Sequence, residues 1–71
     1  MTLKKPTEDD ILNIIPTDHP VTRKAIIQEL RFDKTLDYIT DGMIDKHIRS
    51  LENQRKIYRP RYGEYQKVHQ L

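Results

Sequence analysis

Residues 41–68 read DGMIDKHIRSLENQRKIYRPRYGEYQKV, and two different periodicities meet inside this stretch. In its first half, Ile44, Ile48 and Leu51 recur at helical spacing and fall on one face. In its second half, a short basic segment surrounds Tyr62-Gly63, where glycine supplies the positive φ that a tight turn needs. The stretch therefore predicts a helix followed at once by a β-hairpin.

The hairpin has a simple expected register if its turn is centred on Tyr62-Gly63. The register then sets four cross-strand pairs, namely Arg61–Glu64, Arg59–Gln66, Tyr58–Lys67 and Ile57–Val68. The apolar pair is expected to face the core, and the pair of opposite charges closes the turn. Pro60 has no N–H, so it must lie where the ladder requires no donor.

Two shorter helices are predicted upstream. Thr7 caps the first, whose acidic start at 8–10 favours the positive end of the helix dipole, and Pro16 stops it. Its inward residues are expected to be Ile11, Leu12, Ile14 and Ile15. Val21 is expected to be extended. Thr22 caps a second helix over 23–30, with Ile26, Ile27 and Leu30 inward.

The third helix is expected to begin at a cap on Thr40 or Asp41. Before it, residues 32–40 favour a loop with about one helical turn. Asn53 is expected to end the helix, since asparagine tolerates the left-handed conformation.

Composition limits the chain to one small domain and separates its charges. The 71 residues include nine Ile and six Leu, enough for a small core. Residues 1–54 contain eight Lys/Arg and ten Asp/Glu, whereas 55–71 contain five Lys/Arg and one acid. Two interpretations of the basic hairpin stay open: a solvated β-ribbon protected from aggregation, or a surface that contacts phosphate.

Several classes of protein are not expected. The chain has no cysteine, which excludes disulfides and thiolate metal sites. It has no signal-peptide pattern and no apolar run of membrane-spanning length, so a cytoplasmic address without membrane contact is expected. His19, His47 and His69 lack metal-motif spacing, and Gly42 and Gly63 are isolated. We therefore expect no catalytic residue, metal site or cofactor.

Residues 39–59 resemble the recognition helix and first wing strand of the winged helix-turn-helix family of DNA-binding domains. Residues 22–30 are similar to the preceding positioning helix. The resemblance implies a mainly α fold with a small β-hairpin, namely three helices plus a wing, over 7–71 after an N-terminal arm at 1–6. The chain departs from the family in the missing glycine at 53–55 and in the long connection from Arg31 to Thr40.

The resemblance also implies a binding surface for double-stranded DNA. The third helix would enter the major groove, and the wing would contact the backbone or minor groove. The candidate DNA-binding residues are Thr22, Arg23, Lys24 and Gln28 on the second helix, Lys46, Arg49, Ser50 and Asn53 on the third, and Arg59, Arg61, Tyr62 and Lys67 on the wing. Arginine can pair with guanine and asparagine with adenine.

The acids of the third helix argue against this surface. Asp41 has a capping role, but Asp45 is explained only by an i,i+4 pair with Arg49. Two alternatives to a transcriptional regulator therefore stay open: a winged helix that binds a protein partner, and a non-specific DNA-binding subunit of a replication or recombination assembly. A homodimer through the first helix or the hairpin edge also stays open. The small size suits a compact genome such as that of a phage or plasmid.

Overall fold

The computed structural model describes residues 3–69, which form three helices and a small antiparallel sheet. The elements are α1 (Glu8–Ile14), β1 (Val21–Thr22), α2 (Arg23–Phe32), α3 (Asp41–Asn53), β2 (Ile57–Tyr58) and β3 (Glu64–Lys67). The strand order is β1-β3-β2, so the short strand before α2 pairs with the hairpin. The layout is consistent with three helices plus a wing. The first two residues of the expected arm and the last two of the domain lie outside the described residues.

The predicted helix starts are confirmed. The hydroxyls of Thr7, Thr22 and Thr40 each accept a hydrogen bond from the backbone N–H three residues later, at 3.3, 3.1 and 3.3 Å. At α1 the Asp10 carboxylate also accepts from the Thr7 N–H at 2.8 Å, which completes a capping box. Each cap satisfies a backbone donor that the helix itself cannot satisfy and contributes about 1 kcal/mol.

One core is formed by the apolar faces of all three helices and the hairpin. Its buried members are Ile11, Ile15, Ile26, Ile27, Leu30, Ile44, Ile48, Leu51, Ile57 and Tyr65. The helical members are those that the apolar spacing predicted, whereas Leu12 and Ile14 are only partly buried against the cluster. Tyr65 was not predicted, and its burial follows from the register of the hairpin.

The predicted hairpin register is wrong by one residue. Ile57 pairs with Lys67 and Tyr58 with Gln66. The turn is centred as expected, since the Glu64 N–H donates to the Arg61 carbonyl at 3.1 Å and Gly63 has φ 79°. Three residues (59–61) therefore face two (64 and 65) across the hairpin.

Pro60 and the geometry of the turn explain the shift. Proline cannot donate to a ladder, and a turn with positive φ only at its second central residue splays the strands. The segment between β2 and the turn therefore accommodates one extra residue. A shift of one residue exchanges the two faces of a strand, so Tyr65 is buried and Val68 is only half-buried.

Asn53 is the last residue of α3, as predicted, but it is still helical, and the left-handed residue is Arg55, with φ 61°. The Arg55 N–H donates to the Glu52 carbonyl at 2.9 Å and the Lys56 N–H donates to the Leu51 carbonyl at 3.0 Å. This pair of bonds is a Schellman motif, which satisfies carbonyls at the helix end and turns the chain into β2.

Arg55→Gly is expected to raise the free energy of unfolding by about 0.5–1 kcal/mol, because glycine adopts positive φ without the steric cost of a Cβ. Urea denaturation measures the change. Asn53→Gly is the matched control and is expected to destabilise by up to about 1 kcal/mol, since Asn53 is helical. If Asn53→Gly stabilised the protein and Arg55→Gly did not, the assignment of Arg55 as the left-handed residue would be contradicted.

The start of the chain is bound to the connection between α2 and α3. The Lys4 N–H donates to the Thr35 carbonyl at 3.3 Å, and the Asp37 N–H donates to the Lys4 carbonyl at 2.7 Å. Pro6 is buried beside this bridge. α2 continues to Phe32, two residues beyond its expected end. The loop that follows contains one hydrogen-bonded turn, in which the Leu36 N–H donates to the Asp33 carbonyl at 3.3 Å and the Asp33 carboxylate accepts from the N–H and hydroxyl of Thr35.

Within the described part of the chain, no helix has both the length and the apolar character that crossing a membrane requires.

Candidate nucleic-acid interface

The outward face of α3 carries Lys46, Arg49 and Asn53. All three side chains are exposed and lie on the side of the helix opposite the buried Ile44, Ile48 and Leu51. At helical spacing Gly42 extends the same stripe, whose side chains are two cations and one amide, and the half-exposed Asp45 lies at its edge. We call Gly42, Lys46, Arg49 and Asn53 the α3 stripe. Its side chains can reach a ligand with nothing of the domain in front of them.

The three acids of α3 all form ion pairs with arginines from neighbouring elements. The pairs are Arg31–Asp41 at 2.9 Å, Arg23–Asp45 at 2.5 and 3.0 Å, and Arg59–Glu52 at 3.1 Å. Two arginines come from α2, and the third follows β2. The carboxylates are therefore aimed at α2 and the hairpin, and the charges beside the α3 stripe are neutralised.

The predicted pair between Asp45 and Arg49 is replaced by the bidentate pair with Arg23. A fork of two parallel hydrogen bonds holds the carboxylate more firmly than a single contact along one helix. The hydrogen bonds from Arg23 to Asp45 also raise the pKa of the guanidinium. Arg49 is left free for the outward face, while Arg23 is committed to the fold.

The residues predicted on α2 have different roles. Thr22 caps the helix, and Lys24 and Gln28 are exposed on its outer side. The Arg23 N–H donates to the Gly63 carbonyl at 3.3 Å. This bond joins the start of α2 to the wing turn, and the Arg23 side chain joins it to α3. The start of α2, the wing turn and α3 therefore form one continuous surface.

Only part of the predicted wing lies on this surface. Arg61 is exposed and Tyr62 is 100% exposed at the tip. Arg59 is held by Glu52 and lies 5.9 Å from the centre of the Tyr65 ring. Lys67 is partly buried at the base of the hairpin, in a cleft with Lys56 and His69. The tip thus offers one cation and one aromatic ring.

Ser50 lies at the edge of the α3 stripe and is half-buried. Gln54 donates to the Ser50 hydroxyl and to the Glu8 carboxylate, both at 3.0 Å. These bonds tie the end of α3 to the start of α1, and hydrogen bonding to Ser50 and then to Gln54 lowers the pKa of Glu8 below 4.5. Ser50 therefore helps to orient α3.

A carboxyl whose folded-state pKa is depressed contributes stability above its unfolded pKa, and this contribution is lost as pH falls through the folded value. Glu8→Gln is therefore expected to flatten the loss of stability below about pH 4.5. Urea denaturation between about pH 3 and 6 measures the difference. Asp33, whose pKa is lowered by Thr35, titrates in both proteins. If the free energies of unfolding of the wild type and of Glu8→Gln fell equally as the pH was lowered, this role of Glu8 would be ruled out.

The ion pairs that sequence reasoning missed join residues of different elements, 7, 10 and 22 positions apart in the chain. The sequence feature that could have indicated them is the presence of three acids on a helix whose outward face is basic, together with arginines on α2 and in the hairpin.

Within residues 3–69, no group of three His, Asp or Glu side chains could hold a metal ion. Comparison of the chain with protein-family models, with curated proteins and with solved structures finds no significant match.

Proposed function

We propose that this chain is a DNA-binding winged helix-turn-helix protein that acts as a transcriptional regulator. In this proposal α3 enters the major groove of double-stranded DNA, and the wing tip follows the backbone or minor groove. The observation that carries the proposal is the pairing of the α3 acids with arginines, because it offsets their negative charge and leaves Lys46, Arg49 and Asn53 exposed.

Each exposed residue suits a different part of the duplex. Arg49 can donate two bonds to guanine, and Asn53 can both donate to and accept from adenine. Lys24 and Lys46 are placed to neutralise phosphates, as is Arg61 at the wing tip. Gln28 can donate to a phosphate oxygen, and the exposed Tyr62 ring can pack on a sugar.

The contribution of phosphate contacts has an expected size. Lys24, Lys46 and Arg61 would neutralise about three phosphates, so affinity would fall about 40-fold between about 0.05 and 0.2 M salt. Fluorescence anisotropy of the protein with a labelled random-sequence duplex measures this slope. A selection from a random pool, followed by titration of selected and scrambled duplexes, measures sequence discrimination.

The outcomes separate the candidate functions. Salt-sensitive binding that prefers the selected sequence supports a regulator. Salt-sensitive binding of all duplexes alike would instead indicate a non-specific DNA-binding subunit. A folded sample that binds no duplex at low salt would overturn the proposal and leave a protein partner as the ligand of this surface.

Asp45→Asn is expected to strengthen DNA binding several-fold, because it removes a negative charge and releases Arg23 towards a phosphate. The same change should lower stability by less than about 1 kcal/mol, since the pair is half exposed. Asp9→Asn, which removes an exposed acid from α1, is the control for net charge. Equal gains in both variants would mean that only net charge matters.

A further inference from the structure

An aromatic ring projects from the end of α2 without a role in the fold. Phe32 is 84% exposed, although Ile26, Ile27 and Leu30 of the same helix are buried in the core. It stands between Glu29 and Asp33, with which it lines a shallow hollow. We call Glu29, Phe32 and Asp33 the Phe32 knob. Among the exposed large hydrophobic residues of the described chain, only the phenol ring of Tyr62 is more exposed than Phe32, and Phe32 has no polar group to place in water.

The charges around the knob are defined by local contacts. Asp33 accepts hydrogen bonds from the N–H and hydroxyl of Thr35 at 2.9 and 2.6 Å, which keep its carboxylate ionised and fixed. The nearby cation Arg31 is engaged elsewhere, since it pairs with Asp41 and lies 5.3 Å from the centre of the Tyr38 ring. Lys34 follows Asp33 and is exposed. The knob therefore presents two carboxylates beside its ring.

A cleft of opposite character lies at the base of the hairpin, against the end of α1. It has a volume of about 530 Å³ and is lined by Leu12, Thr17, Lys56, Lys67, Val68 and His69. We call it the hairpin cleft. Its described lining combines two aliphatic side chains with two lysines and a histidine, and includes no acid. Such a cleft suits an apolar group that carries negative charges at its sides.

We propose that the Phe32 knob of one copy of this chain binds in the hairpin cleft of the next copy. The Phe32 ring would pack on Leu12 and Val68, while Glu29 and Asp33 would face Lys56 and Lys67. The knob and the cleft share no residue, so the contact is head-to-tail. A pair joined by one such contact keeps one free knob and one free cleft, so further copies can add and the association is open-ended.

This contact goes beyond the proposed function and does not depend on it. It uses neither the α3 stripe nor the wing tip, so copies could associate with or without DNA. A single knob and cleft form a small interface, for which weak association is expected in free solution. If several copies were bound side by side on another ligand, their effective concentration would rise. The contact between copies would then make their binding to that ligand cooperative.

Sedimentation velocity without DNA, from about 10 µM to about 1 mM protein, tests the proposal. The wild type is expected to show an average mass that rises with concentration and falls with added salt. Phe32→Ser removes the ring but keeps the cleft, whereas the double variant Lys56→Glu/Lys67→Glu reverses the cleft but keeps the knob. Each variant alone is expected to remain monomeric. Phe32 is exposed, whereas Lys56 and Lys67 are partly buried, so circular dichroism checks that both variants fold.

An equimolar mixture of the two variants gives the decisive result. The intact cleft of the Phe32→Ser protein should accept the intact knob of the other variant, so the mixture forms a dimer and stops there. Adding Glu29→Lys/Asp33→Lys to the cleft variant should restore open-ended association by exchanging the charges. A monomeric wild type at the highest concentration, or a mixture that remains monomeric, would overturn the proposal. In either case the knob would be left for a different, basic protein partner.

Discussion

Tyr65→Ala is expected to lower the free energy of unfolding by about 3 kcal/mol. The side chain is only 8% exposed and belongs to the core. Its strand position pairs with Val21, and Arg59 covers the ring. Removing the ring therefore leaves a cavity where β1, β3 and the helices meet. A core of this size supplies about 3–5 kcal/mol in total, so the variant should be largely unfolded.

The matched control for this experiment is Val68→Ala. Val68 is half-buried, and its truncation should cost about 1 kcal/mol or less. Urea denaturation of both variants measures the two costs. The register expected from the turn alone would place Val68 opposite Ile57 and reverse the order. A larger loss for Val68→Ala than for Tyr65→Ala would contradict the observed register.

Lys46→Ala/Arg49→Ala is expected to weaken binding to the selected duplex by about 100-fold. In the proposed complex Arg49 contacts a base edge, and losing such a contact costs about 1–3 kcal/mol. Lys46 contributes one phosphate contact, so its loss should reduce the slope of log affinity against log salt concentration by about one. Neither side chain is among the observed ion pairs of the described residues, and both are exposed. The fold should therefore be unchanged.

Lys5→Ala/Lys34→Ala is the control for this pair of substitutions. It removes the same charge from exposed positions in the N-terminal segment and the connection between α2 and α3. Its affinity for the selected duplex should fall much less, and its preference for that sequence should persist. Equal losses of affinity in the two double variants would show that only the net charge of the protein affects its binding to DNA. Full affinity in Lys46→Ala/Arg49→Ala would exclude α3 as the reading helix.

Local physical chemistry made most of the helical part predictable from the residues. A threonine cap needs only the backbone N–H three residues later, so Thr7, Thr22 and Thr40 could be identified without knowledge of the fold. Apolar spacing along one helix likewise identified Ile44, Ile48 and Leu51 as inward, and by exclusion placed Lys46 and Arg49 outward. The fold class and part of the candidate interface followed from these short-range rules.

The roles of the charged residues could not be obtained in this way. Arg23 and Asp45 are 22 positions apart, and they meet only because α2 packs beside α3. Arg59 and Lys67 were expected to face a ligand, but one binds Glu52 and the other enters the hairpin cleft. An exposed cation and a paired one look identical in a sequence, because their difference lies in which distant carboxylate comes within reach.

The helix starts, the inward faces and the position of the wing turn were thus determined by the sequence itself, since each depends on residues a few positions apart. The one-residue shift of the hairpin and the left-handed Arg55 were not predicted, although the proline, the turn and the helix-end hydrogen bonds that accompany them are local. The tertiary structure alone decided the pairing of the α3 acids, because their arginine partners come within reach only when α2 and the hairpin pack beside α3.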